Sequence, residues 1–149
     1  MDTGNKENQK SRNQKHSTIK KSVLSIVCAD DEKLVLKLIS CFILDMFPNA
    51  EIRQALNGNE ALTCCFAQSP DILVTNVNMP GMSGIELIKE LRKARLEIPT
   101  LITSGNCTYD RLEREGIKLG KKVRFIRKPF SGEQIASEIN ILLKSIKDT

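Results

Sequence analysis

Five polar residues stand at the ends of apolar runs, where a fold can hold chemically useful side chains still. Asp30 and Asp31 follow VLSIVCA, Asn76 ends DILVTN, Ser104 ends TLITS, and Lys128 ends VRFIRK. Adjacent carboxylates are hard oxygen ligands that suit Mg²⁺ with retained waters. A lysine acts as a point charge toward phosphate or carboxylate. A small hydroxyl donates to a phosphoryl oxygen. A metal, an ammonium and a hydroxyl donor are together what phosphoryl transfer requires around its charged oxygens. Taken singly, each residue has a plainer role. Asp30 and Asp31 suit the start of a helix, where carboxylates favour the positive end of the dipole. Asn76 and Ser104 suit loop caps, and Lys128 before Pro129 suits solvated surface. The order of the elements favours the joint role.

From Val23 onward, strand-like and helix-like segments alternate. VLSIVCA is a short apolar run of the kind a buried parallel strand requires. A helix is predicted from Glu32 to Phe47, stopped by Pro48. AEIRQAL is a second strand, and NGNEALTCCFAQ a turn leading into a helix. DILVTN is the third strand, broken by Met79, Pro80 and Gly81. Ser83 and Gly84 open the helix IELIKELRKA. TLITS is the fourth strand, followed by a short charged helix over about Tyr109 to Glu115. VRFIRK is the fifth strand. The last helix runs from Glu133 to Ile146 with Ile135, Ile139, Leu142 and Ile146 on one stripe. Five strands alternating with five helices predict an α/β fold, a five-stranded parallel sheet with helices on both faces. Ligands in such sheets bind at the C-terminal strand ends, near the point where the strand order reverses. Asp30, Asp31, Asn76, Ser104 and Lys128 all fall at that end.

Composition narrows the possibilities further. The chain of 149 residues has the size of one domain and can bury a core without disulfides or a structural metal. Aromatic residues are sparse at 4%, so the core must be aliphatic. The five cysteines, Cys28, Cys41, Cys64, Cys65 and Cys107, match no metal-binding spacing, and the one histidine, His16, lies in a polar segment. They read as free, mostly buried thiols of a reducing cytoplasm. No run approaches the ~20 apolar residues of a membrane span, and no signal-peptide core is visible at the N-terminus. The net charge of +5 divides unevenly: six basic and two acidic residues in 1–21 give +4, leaving +1 for the rest. Residues 1–21 contain almost nothing apolar and are expected to be a disordered basic tail, with one folded domain over 22–149. The tail reads as a solvated leader rather than a nucleic-acid arm, because it has no aromatic anchor.

The segments ADDE, DILVTNVNMPGMSGIELIKELR, TLITSG and FIRKPF, in that order, resemble the receiver domain of two-component response regulators, the flavodoxin-like, CheY-like fold. The resemblance covers about Val23 to Ile146, and NGNEAL before the second helix shares it. It implies that Asp30, Asp31 and the backbone carbonyl of Asn78 bind Mg²⁺. It also implies that Ser104 is the switch hydroxyl, that Lys128 pairs with a bound phosphoryl group, and that Phe125 is the switch aromatic. Asn78 and Asn106 match positions that tune phosphoryl lifetime. The face made by the fourth helix, fifth strand and fifth helix would meet partners. One departure is central. The family's phosphoacceptor aspartate lies four residues before the proline of MPG, and here that residue is Asn76. An amide is neutral and a poor oxygen nucleophile, so no ordinary acyl phosphate is expected. It also removes a negative charge, so Mg²⁺ should bind more weakly. Gly105, usually alanine, and the charged RLEREGIKLGKK stretch are lesser departures.

These features predict a stand-alone receiver of a His-to-Asp phosphorelay that cannot be phosphorylated normally, whether Asn76 is native or engineered. Its partners would be a sensor histidine kinase or phosphotransfer protein and an output protein of unknown identity. The alternative is a natural pseudo-receiver, a binding module independent of phosphorylation. A nucleic-acid binder acting through the tail ranks third, since the body carries only +1 and no helix-turn-helix. No enzyme in the usual sense is expected; at most an aspartate form would catalyse its own phosphorylation and dephosphorylation.

Overall fold

The computed structural model describes residues 23–148. The expected tail over 1–21 lies outside the described residues. The order of elements is β1 Ser25–Ala29, α1 Lys33–Met46, β2 Glu51–Ala55, α2 Gly58–Ala67, β3 Ile72–Asn76, α3 Gly84–Lys93, β4 Thr100–Ser104, α4 Tyr109–Arg114, β5 Val123–Arg127 and α5 Gly132–Lys147. The strands form one parallel sheet in the order β2-β1-β3-β4-β5. The chain leaves β1 for β2 on one side, then returns to place β3 on the other. The reversal therefore lies between β1 and β3, and it opens a crevice beyond their C-terminal ends.

Alternation along the strands divides the core. Ile26 and Cys28 of β1, with Ile72 and Val74 of β3, face Leu36, Ile39 and Ile43 of α1 and Ile135, Ile139 and Leu142 of α5. Val27 and Leu73 point the other way, against Ala61 and Cys65 of α2 and Leu87 and Leu91 of α3. A third cluster joins Ile102 and Phe125 of the sheet to Ile85, Ile88 and Leu112. The core is aliphatic, as composition required. The apolar stripe of α5 ends sooner than its spacing suggests, for Ile146 is 38% exposed in the last turn.

Side chains start the helices. Asn57, Ser83, Thr108 and Ser131 each accept a backbone N–H at the head of α2, α3, α4 and α5. Ser131 and Gln134 complete a reciprocal capping box. Asp71, just before β3, accepts the Ser25 N–H at 2.8 Å, at the end of the sheet opposite the crevice.

The head of α3 presses on the end of β3. The Gly84 N–H donates to the Val77 carbonyl at 2.8 Å, and a Cβ at Gly84 would collide with the Asn76 carbonyl oxygen. Gly84→Ala therefore has to push α3 off β3, and overpacking of this kind costs about 3 kcal/mol. Urea unfolding checks this, and a loss below about 1 kcal/mol would contradict it.

The cysteines are free. Cys28, Cys65 and Cys107 are buried, Cys64 is half-buried and Cys41 is exposed on α1. Burial pushes the Cys28 thiol up to about 12, and burial outweighs the nearby Arg53 to push Cys65 up to about 11. A raised thiol pKa stabilises the fold below the unfolded value of about 9, and that contribution is lost as pH climbs toward the folded value. Native-state iodoacetamide labelling at pH 8 should modify Cys41 and leave Cys28 intact until unfolding. Equal labelling rates at the two sites would show the packing to be wrong.

Candidate functional site

The crevice collects the polar strand ends that the sequence singles out. Asp30 directly follows β1 and is fully buried, whereas Asp31 beside it is exposed. Asn76 is the last residue of β3 and is 7% exposed. Ser104 ends β4 and is fully buried. Lys128 lies one residue beyond β5, which stops at Arg127 rather than at the lysine. Its N–H still donates to the Ser104 carbonyl at 2.8 Å, which fixes it beside β4.

Hydrogen bonds link these groups. The Lys128 ammonium donates to Asp30 Oδ2 at 2.7 Å, and the Glu32 N–H donates to Asp30 Oδ1 at 2.9 Å. Both oxygens of the buried carboxylate are thereby used, as burial of a charge demands. The Asn76 Nδ2 donates to the Asn78 carbonyl at 2.8 Å and to Asp31 Oδ1 at 3.4 Å. The Asn78 side chain reaches across the mouth and donates to Asn106 Oδ1 at 2.7 Å. The Ser104 hydroxyl accepts from the Cys107 and Asn106 N–H groups at 3.0 and 3.2 Å and donates to Asn106 Oδ1 at 3.4 Å. It is folded onto its own loop.

Phe125 stands apart. It is buried in the third core cluster, and the Tyr109 ring meets it edge-on with centroids 5.0 Å apart. The family resemblance marks Phe125, but no signal in the sequence marks Tyr109 as its cover.

The groups fit a divalent cation poorly as arranged. Both Asp30 oxygens already accept protein donors, and Asp31 Oδ1 and the Asn78 carbonyl accept the Asn76 amide. Among the described residues no three acidic, histidine or cysteine side chains gather into a metal-holding group.

The family described as "Response regulator receiver domain" matches residues 26–140. The chain belongs to this family. As a receiver it is 31% identical over 123 residues to the uncharacterized transcriptional regulatory protein YesN of Bacillus subtilis, covering 82% of this chain and 33% of that protein. It is 29% identical over 120 residues to PhoP of the same organism, named there an alkaline phosphatase synthesis transcriptional regulatory protein. That match covers 80% of this chain and 48% of PhoP, so the receiver spans between a third and a half of the length of these two relatives. A solved receiver domain of a Francisella response regulator superposes with a TM-score of 0.70 at 26% identity, over 83% of this chain and 98% of that one. A CheY-like receiver from Methanospirillum hungatei superposes with a TM-score of 0.72 at 19% identity, over 86% and 100% of the two chains, and shares the fold. No helix among the described residues is long and apolar enough to cross a membrane.

Proposed function

We propose that this receiver works in a two-component pathway with Asn76 at the phosphoacceptor position, so that it does not form the aspartyl phosphate. The observation that carries the reading is the place of Asn76. It ends β3 in the crevice, bonded to Asp31 and to the Asn78 carbonyl, four residues before Pro80. An amide there supplies neither the charge nor the nucleophilic oxygen an acyl phosphate needs. Asp30, Asp31 and the Asn78 carbonyl are the groups that would hold Mg²⁺; with these oxygens bonded within the protein and one negative charge fewer, the ion would bind weakly. Ser104 and Lys128 remain phosphate-contacting groups, Phe125 the switch ring, and Asn78 and Asn106 the rate-tuning pair. The chain performs no catalysis of its own with Asn76 in place.

Its partners are a sensor histidine kinase or phosphotransfer protein and an output protein. A cytoplasmic site of action accords with its free cysteines. A pseudo-receiver that binds partners without phosphate is the second reading. The bond from Asn78 to Asn106 favours it, because it ties the loops after β3 and β4 together through protein groups alone.

The test uses beryllofluoride, which mimics a phosphoryl group on aspartate. ¹H–¹⁵N spectra of the protein in Mg²⁺ should not change when beryllofluoride is added. Shifts in the amides of Ser104, Asn106 and Phe125 would refute the proposal.

A further inference from the structure

We infer that the Asn76 amide itself competes with a divalent cation for this pocket, over and above the loss of a carboxylate charge. The inference rests on reading Asp31 and the Asn78 carbonyl as cation-binding positions. A cation held there needs lone pairs of both oxygens aimed at it. In the structure the same Nδ2 group is aimed at both, at 3.4 Å and 2.8 Å. An amide NH₂ has two donors, so one group satisfies two acceptors. Bound in this way, the neutral amide turns its partially positive hydrogens on the two oxygens that a cation would need.

The amide has no easy retreat. Asn76 is 7% exposed at the end of a central strand, and its own carbonyl lies under the head of α3. Without a cation, turning the amide over would bring its oxygen against a carboxylate and a carbonyl and leave its N–H groups without these acceptors, so the donor orientation is the favoured one that a cation has to displace. The neighbouring carboxylate is closed in a similar way, because Lys128 and the Glu32 N–H take the two oxygens of Asp30. Both Asp30 oxygens, Asp31 Oδ1 and the Asn78 carbonyl thus each accept a donor from the protein.

The two explanations of weak Mg²⁺ binding differ in what they predict for a smaller side chain. If only the missing charge matters, Asn76→Ala binds Mg²⁺ no better than the parent, since alanine adds no ligand. If the amide competes, removing it frees Asp31 and the Asn78 carbonyl, and affinity rises. Two released hydrogen bonds correspond to about a tenfold fall in Kd. Calorimetric titration of MgCl₂ into the parent, Asn76→Ala, Asn76→Gly and Asn76→Asp, each confirmed folded by its thermal melt, reads this directly. The expected order of affinity is Asn76→Asp tightest, Asn76→Ala and Asn76→Gly next, and the parent weakest. Should Asn76→Asp bind while Asn76→Ala and Asn76→Gly match or fall below the parent, the competition is refuted and the cation-site reading survives. Should Asn76→Asp also fail to bind, the cation-site reading falls, and the inference with it.

Discussion

Asn76→Asp is expected to take one phosphoryl group from acetyl phosphate in the presence of Mg²⁺, where the parent takes none. The argument is one of sufficiency. Asp30 and Asp31 supply two carboxylates at the C-terminal strand ends, one bonded to the Lys128 ammonium and the other to Asn76, and Ser104 supplies a hydroxyl that is bonded to its own loop. The substitution adds the nucleophilic oxygen and the third negative charge. It also removes the amide donors to Asp31 and the Asn78 carbonyl. Without metal the three carboxylates repel one another, and Asn76→Asp should be less stable than the parent. With Mg²⁺ the order changes. A ligand that binds only the folded state stabilises it by about 2.7 kcal/mol at a hundredfold excess over Kd, and the parent should gain far less at the same concentration. Thermal melts with and without Mg²⁺ check the stability half of this expectation. Equal Mg²⁺ responses from the two proteins would mean that the pocket has lost its function beyond the acceptor.

Lys128→Met should destabilise the fold by about 3 kcal/mol. Methionine keeps most of the aliphatic stem and removes the ammonium, so the change isolates the charge. Asp30 is fully buried and would retain only the Glu32 N–H as partner. Breaking a buried ion pair from one side leaves an uncompensated charge, which costs more than the pair contributes when whole. The Lys128 side chain is 20% exposed, which puts the effect at the lower end of the range for such pairs. Asp30→Asn in the same background should restore much of the loss, because the stranded charge is gone. Denaturant unfolding of the two single variants and the double variant measures the coupling. If Lys128→Met unfolds with the parent's midpoint, the pair is a surface contact and the interior of the crevice is wetter than the structure has it.

Much of this architecture is written in local pattern. TLITS, bounded by Pro99 and Gly105, is β4 to the residue. Ser83 and Gly84 mark the start of α3 because a serine cap and a small residue suit a helix that must begin against β3. Pro48 ends α1 near Met46 for the steric reason that makes it a helix breaker. Strand ends were less legible. Val23 and Leu24 are apolar but precede β1, and Lys128 lies beyond β5, because pairing with a neighbour sets a strand's length and composition does not.

The placing of the candidate residues at the C-terminal strand ends was legible in the sequence, and their bonding was not. Asp30 and Lys128 lie 98 residues apart, and only the assembled sheet makes their pairing a contact. The bridge from Asn78 to Asn106 joins two loops. The two bonds of the Asn76 amide depend on the loop after β3 folding back over its end, which strand periodicity does not encode. The edge contact of Tyr109 on Phe125 joins the head of a six-residue helix to the edge strand β5. Each of these depends on tertiary closure.

The most direct measurement is intact-mass spectrometry of the parent and Asn76→Asp, incubated side by side with acetyl phosphate and Mg²⁺. The account predicts no added mass on the parent and one phosphoryl group on Asn76→Asp, mapped to position 76 by peptide analysis. A phosphoryl group on the parent, at Asp30, Asp31 or elsewhere in the crevice, would contradict it, because the acceptor would then not be the residue that ends β3.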